Sequence, residues 1–593
     1  MSSLVAIAGD DNVIVDALID SYVIEERNGV PVAVRNVEKI FYNAQRYDDK
    51  AVSIIGYGGS ISIDKVSAPG AKPVYRQWID SDVFYKDSRI CFVELPVKQG
   101  KTVKVEFHRT FKKPEQFCKI TMASLYYVRN YTVEVSVPAM LVSRIKVSPY
   151  NLASNVALTY ETDDKGTKTY RVSISDFRPL KNEDLAPALS VAAPALLVTG
   201  ILDGLDGVYD FLKGYVPDKP IDISVKEMAE EITTGIYNDI DKAEAIASWV
   251  RQNIRYVAIE HGEWAYRPDN AENTLAKRYG DCKCSANLIK AMLCSVGIDG
   301  RFCWIGTAHT VPHDWKEVPA LCSGNHCIAA AIIGDSIIYL DGTVKYCPSA
   351  YLPPSIQGRP VIIENNDNYI YATVPRLEAS SSKIRHETSL LLDTDRRVIT
   401  GRVSETVNGL DYVQLLQHYY SLGINFRLAF LEKFISDGNR SVSVTDASLV
   451  HGSDTAVVTA EVENRAAVTG TDNVLYVEFS PVRQSEFKLI DLGMRRLPLA
   501  STPPFCREGL ASLSIPEGWE PEDLPLRFDI DNEWFSIKVN YEYDSDRRIV
   551  MAYSSFENKG APCSLDRIDI YNKAVKDFNR IVGTWLSVRK SEK

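Results

Sequence analysis

The chain runs to 593 residues, 45% of them hydrophobic and 24% charged, with a formal net charge of −11. Hydrophobic cores stop growing at roughly 250–300 residues, so a chain of this length predicts three or four domains. The acidic balance, with a pI near 5.4, excludes a nucleic-acid surface, which needs clustered Lys and Arg, and the composition excludes wholesale disorder.

From about residue 10 to 180 the sequence is a series of short alternating runs broken by turn residues. In SYVIEERNGVPVAVRNVEKIFYN the pair Asn28-Gly29 suits a tight hairpin, and Asp164-Lys165-Gly166 repeats the device in LTYETDDKGTKTYRVSI. This spacing predicts an antiparallel β-sandwich, assigned to residues 1–215. Leu185 to Thr199 is the most apolar stretch, but it is shorter than the roughly 20 residues of a membrane span and contains Pro187 and Pro194. It reads as a buried linker or strand, and no transmembrane segment is expected.

Between Ile223 and Ile298 the period becomes helical. EMAEEITTGI, DKAEAIASWVRQNI and DCKCSANLIKAMLCSVG carry apolar residues three and four apart, the last with Leu288, Ile289, Met292, Leu293 and Val296 inward. Strand-like runs CIAAAII and SIIYLD follow, which predicts an α+β domain over 216–365. Residues 366–593 read as mostly β, with one helical stretch at YVQLLQHYYSLGINFRLAFLEKFI. Two similar turns, DTDRRVIT and DSDRRIVM, precede β-branched strands there. A final helix places Ile568, Tyr571, Val575, Phe578, Val582 and Trp585 on one face.

The chemistry is concentrated in RYGDCKCSANLIKAML. Asp281 is suited to cap a helix, which leaves Cys282 in the first turn, where the helix dipole and free N–H groups favour a thiolate. A thiolate nucleophile needs a base, and the base needs a third group to orient it. The hairpin HCIAAAIIGDSIIYLDGT supplies both: with Gly334-Asp335 as its loop, Ile333 faces Ser336, Ile328 faces Asp341, and His326 shares the face of Asp341. Cys282, His326 and Asp341 are therefore the candidate triad. Cys284 lies about 200° round the helix from Cys282 and is expected to pack elsewhere.

Eleven cysteines leave at least one without an intrachain partner, and seven of them fall between Cys282 and Cys347. That clustering suits a reduced protein. The cysteines lack two paired knuckles of zinc-ligand spacing, so neither metal nor cofactor is expected.

The segments YVAIEHGEWAYRPDNAENTLAKRYGDCKCSANLIKAML, GNHCIAAAI, YLDGT and YLPPSIQGR resemble the transglutaminase-like superfamily, and in particular its bacterial multidomain group, in which β domains flank a papain-like core. The resemblance implies that Cys282 is the nucleophile, His326 the base and Asp341 its orienting carboxylate. Relatives commonly carry Asp and Lys where this chain has Cys284 and Ser285. The Cys282 backbone N–H is the expected first oxyanion donor. Relatives often add an upstream polar or aromatic side chain, for which Trp264 and Gln252 are candidates. His309 and His313 lie in a loop expected to overhang the cleft and contact substrate.

The activity expected from this resemblance is hydrolysis of peptide or amide bonds through an acyl-thioester on Cys282. Two alternatives stand beside it: protein cross-linking by transfer to an amine, and a non-catalytic scaffold with a relic triad whose β domains bind protein or glycan. Domain order implies export to the bacterial periplasm. The opening MSSLVAIAGDD lacks the basic start of a secretory signal and leaves a cytoplasmic location open.

Overall fold

The computed structural model describes every residue except 1–11, 79–84, 261, 309, 312–313, 349–350, 483–487, 584 and 592–593. The chain divides into two compact units, one of residues 1–182, 187–343 and 355–375, the other of 183–186, 344–354 and 376–593.

The first unit opens with a long hairpin, Val13–Arg27 against Val30–Ala44. Its turn residues Asn28 and Gly29 both have positive φ, 54° and 75°, as a two-residue turn matched to strand twist requires. The hairpin sits inside a ten-stranded sheet whose members span residues 13–177. Alternation buries Tyr131, Val133, Val135 and Val137 along one face of Val128–Val137. That strand pairs with Val13–Arg27 in parallel, whereas the spacing reads as antiparallel throughout. Both pairings share a period of two, so alternation carries no information about direction. A three-stranded sheet of residues 119–121, 146–150 and 195–199 completes this β region. Ala195, Leu196, Leu197 and Val198, from the most apolar stretch, are buried in it.

The rest of the first unit is an α+β core. Helices Ile223–Thr233, Asp239–Asn253 and Cys282–Ser295 each start behind a residue, Asp222, Asn238 or Asp281, whose side chain accepts a first-turn N–H. A five-stranded sheet follows in the order 336–340, 326–333, 299–305, 360–365, 368–373. It therefore runs past residue 365: Asn366, with φ 52°, turns the chain into one more strand, Asn368–Thr373. Leu288, Ile289, Met292 and Leu293 of the last helix pack with Ala329, Ala331 and Leu340 of the sheet. Contact is close enough that a methyl group on Gly300 would lie 2.7 Å from Leu293 Cβ.

The second unit holds an eight-stranded and a four-stranded sheet. The two Asp-Arg-Arg turns are equivalent: Asp393 Oδ1 accepts from the Asp395 and Arg396 N–H groups, Asp544 Oδ1 from that of Arg547, and Arg397 and Arg548 adopt φ of 53° and 54°. The stretch read as one helix is two, Gly409–Ser421 and Ile424–Ser436, because Leu422 and Gly423 turn extended between them. In the C-terminal helix Ile568–Val582, the residues Ile568, Tyr571, Val575 and Phe578 are buried as expected. Trp585 is not on that face; the helix stops at Gly583, and Trp585 begins a strand with 42% of its surface exposed. Among the described residues no helix is long and apolar enough to cross a membrane.

Leu288 is fully buried between helix and sheet. Leu288→Ala is expected to cost about 2–5 kcal/mol, measured as a lower unfolding midpoint in urea with an unchanged slope.

Candidate active site

Cys282 is the first residue of its helix, and Asp281 caps it by accepting the N–H groups of Lys283 and Cys284 at 3.1 and 3.2 Å. Gly280 is required ahead of that cap, since a Cβ there would lie 2.5 Å from Cys284 Cβ. Cys284 points away from Cys282 into this packing. Its sulfur accepts the Asp269 N–H at 3.4 Å, and burial pushes its thiol up to about 11. With two first-turn N–H groups engaged by Asp281, the Cys282 N–H is the donor left at the helix head.

The His–Asp hairpin folds in the expected register, with Ile333 opposite Ser336 across Gly334 at φ 58°. His326 Nε2 donates to Asp341 Oδ2 at 2.9 Å. The second carboxylate oxygen of Asp341 accepts the Thr343 N–H and hydroxyl at 2.9 and 2.6 Å. All of the capacity of Asp341 is thus directed at holding one tautomer of one imidazole, which leaves Nδ1 for the sulfur of Cys282.

The cluster is buried and its charges compensate one another. Cys282 is 8% exposed and Asp341 4%. The Cys282 thiol is held well below its usual range, first by a hydrogen bond from Cys327, then, against the opposing effect of burial, by His326 and the Lys283 ammonium. Burial opposes the His326 charge too, but the Asp341 carboxylate and the Cys282 thiolate outweigh it and raise the imidazole to about 10. Burial likewise works against an ionised Asp341, and the His326 charge and Thr343 bonds reverse it, leaving the carboxyl low. The Cys282 and His326 shifts both act in the direction that favours a thiolate beside a protonated imidazole.

Cys327 and Lys283 are absent from the sequence-based site. Cys327 follows His326, so alternation turns it to the face shared by Ala329 and Ala331, which is the face the Cys282 helix covers. Lys283 is buried beside the nucleophile with its ammonium on Asp281 Oδ2. Trp264 and Gln252 are not drawn into this cluster. Trp264 is 47% exposed in a short 3-10 turn, Gly262–Ala265. Gln252 lies on the solvent side of its helix, donates to Ser248 Oγ at 3.2 Å and lines a groove with Met228, Ile232 and Trp249. The resemblance marked both only as polar or aromatic residues upstream of Cys282, which does not specify which side of their elements faces it. His309 and His313 lie outside the described residues.

The site thus sets a helix-head thiol against a His–Asp hairpin on a small antiparallel sheet. Residues 226–341 match the family model described as the transglutaminase-like superfamily, so this part of the chain is a transglutaminase-like domain within a longer, β-rich protein. Among solved structures, a "putative protease" from Parabacteroides distasonis is 11% identical, with 98% of this chain and 100% of that one covered at a TM-score of 0.61. That likeness is one of fold, extending through all the β regions. A "putative cysteine protease" from Cytophaga hutchinsonii, 15% identical over 54% of this chain and 78% of its own, has a TM-score of 0.17. An M1 zinc metallopeptidase from Deinococcus radiodurans, 14% identical over 32% and 43%, has one of 0.20. Neither of the last two carries an argument about this chain. No curated protein matches it.

The charge state has a measurable signature. Alkylation of Cys282 by iodoacetamide is expected to rise with pH around a midpoint well below 9, the ordinary thiol value. The folded His326 is raised from 6.5 to about 10, so its stabilising charge is fully present below 6.5 and is lost as pH climbs through about 10. Asp341→Asn removes the carboxylate and is expected to move the alkylation midpoint upward; an unmoved midpoint would show that Asp341 does not act through His326.

Proposed function

We propose that the protein is a cysteine acyl-transfer enzyme that hydrolyses peptide or amide bonds, with Cys282 as nucleophile, His326 as acid and base, and Asp341 as its orienting group. The observation that carries this reading is the 2.9 Å His326–Asp341 pair set against a buried thiol of lowered pKa at a helix N-terminus. The Cys282 thiolate attacks the amide carbonyl carbon, and the oxygen takes up charge beside the Cys282 N–H. His326 passes its Nδ1 proton to the departing amine, leaving an acyl-thioester. Water deprotonated by the same imidazole then attacks the thioester, releasing the acid and the Cys282 thiolate and leaving the water proton on His326. Amine in place of water gives cross-linking by the same steps.

One observation favours a second reading, a scaffold with a relic triad. Cys282 is 8% exposed, so a peptide carbonyl meets the sulfur only if neighbouring side chains give way. The two readings differ in thiol kinetics: an enzyme's thiolate alkylates much faster at pH 7 than an ordinary exposed thiol, a walled-off relic more slowly.

A peptide library incubated with and without a primary amine tests the chemistry. Cleavage in both, abolished by Cys282→Ala with the thermal midpoint nearly unchanged, is expected. Amine incorporation without cleavage would assign transfer rather than hydrolysis, and persistence of either in Cys282→Ala would remove the site altogether.

A further inference from the structure

A second pair of thiols meets outside the catalytic cluster. Cys118 lies at the entry to the strand Lys119–Thr121 of the N-terminal β region, and Cys322 in the single turn Leu321–Ser323 of the core. They are 204 positions apart in sequence, yet the Cys322 S–H donates to the Cys118 carbonyl oxygen at 3.8 Å, and the Cys118 sulfur, 3.7 Å from the Gln116 carbonyl oxygen, lies within hydrogen-bonding reach of the Cys322 sulfur. Leu197, Val318 and Ala320 pack around them. Cys118 is buried, whereas Cys322 retains a partly exposed side chain, so one member of the pair can meet a small solute.

Their surroundings make the two sulfurs chemically unequal. Hydrogen bonding to Cys322, together with burial, pushes the Cys118 thiol up. The same bond, and the Lys119 ammonium, draw the Cys322 thiol down despite burial. Lys119 is fixed by donating to the Ser190 carbonyl at 2.8 Å. A partly exposed cysteine of lowered pKa beside a buried thiol of raised pKa is the arrangement of an attacking and a resolving cysteine.

We propose that Cys118 and Cys322 are a reversible oxidation site, closing a disulfide that ties the N-terminal β region to the turn four residues ahead of His326. The oxidant is a small-molecule disulfide of the glutathione type. Cys322 thiolate attacks one of its sulfurs and expels one thiol, forming a mixed disulfide. Cys118 sulfur then attacks the Cys322 sulfur, its proton passing to the second departing thiolate. Two protein thiols and one small disulfide become one protein disulfide and two small thiols, a two-electron oxidation of the pair that excess thiol reverses. The bond closes a loop of about 200 residues, a length at which restraint of the unfolded chain is large. The site is independent of the chemistry proposed for Cys282.

The test uses the full chain and its Cys282→Ala variant, each incubated with oxidised glutathione at pH 8. Expected in both are loss of two titratable thiols, from eleven in the full chain and from one fewer in the variant, a mass lower by two hydrogens, one cross-linked peptide joining Cys118 to Cys322, and a higher thermal midpoint, all reversed by dithiothreitol. Cys118→Ser is expected to stall with glutathione retained on Cys322. Stable glutathionylation of Cys322 in the unsubstituted chain, a cross-link mapping elsewhere, or eleven thiols still titrating overturns the proposal. The peptide map on the unsubstituted chain decides the matter even where a variant folds poorly.

Discussion

The close packing of the helix Cys282–Ser295 on the five-stranded sheet is the constraint on which the rest of the site depends. Three consecutive alanines, Ala329 to Ala331, are fully buried in the strand that carries His326, and those on the helix-facing side, with Gly300 beside them, admit a helix backbone that larger side chains would hold away. Residues four apart on that helix are separated by about one 5.4 Å turn. A slip of the helix by that distance would keep an apolar face on the sheet yet carry the thiol out of reach of the imidazole. The side chains of Leu288, Ile289, Met292 and Leu293 make the fit specific, so the register between thiol and imidazole is set by ordinary core packing, away from the candidate triad.

That packing has an electrostatic consequence. Asp281, Lys283, Cys282, His326 and Asp341 form a run of alternating charges in a volume with little access to water. Each alone would be neutralised by burial, as happens to the isolated Cys303, whose thiol burial pushes far up. Together they sustain one another, because each ion faces an opposite charge or a hydrogen-bond donor. Such clusters are weak contributors to stability, since desolvation offsets most of the attraction. Their effect here is to hold the Cys282 thiol below its usual range.

Much of this was legible in the letters, for identifiable reasons. Gly334-Asp335 is a two-residue loop, and a two-residue loop fixes every pair in its hairpin, so the meeting of His326 and Asp341 follows from counting. Asp281 before a helical period fixes the position of Cys282. Contacts that join distant segments were not legible: Cys327 reaches Cys282 only because a helix lies over its strand, and the parallel pairing of Val13–Arg27 with Val128–Val137 depends on a crossover that period-two alternation does not encode. The division at Leu422-Gly423 escaped because apolar spacing continues through it. Trp264 and Gln252 were chosen by chain position, and chain position does not determine which way a short turn or a helix face points.

The cysteines show how a fold allots reactivity to residues that are alike in sequence. Burial raises the thiols of Cys91, Cys284, Cys303, Cys506 and Cys563, which disfavours their thiolates at neutral pH. Cys282 and Cys322 go the other way, and each does so through a hydrogen bond from a second cysteine and a neighbouring lysine, Cys327 and Lys283 for one, Cys118 and Lys119 for the other. A thiol donor screens the sulfur without consuming a backbone group, and a lysine one residue along the chain from a cysteine of each pair supplies charge at fixed range. The two lowered thiols also bracket the same element: Cys322 precedes the strand His326–Ile333, and Cys282 heads the helix that covers it.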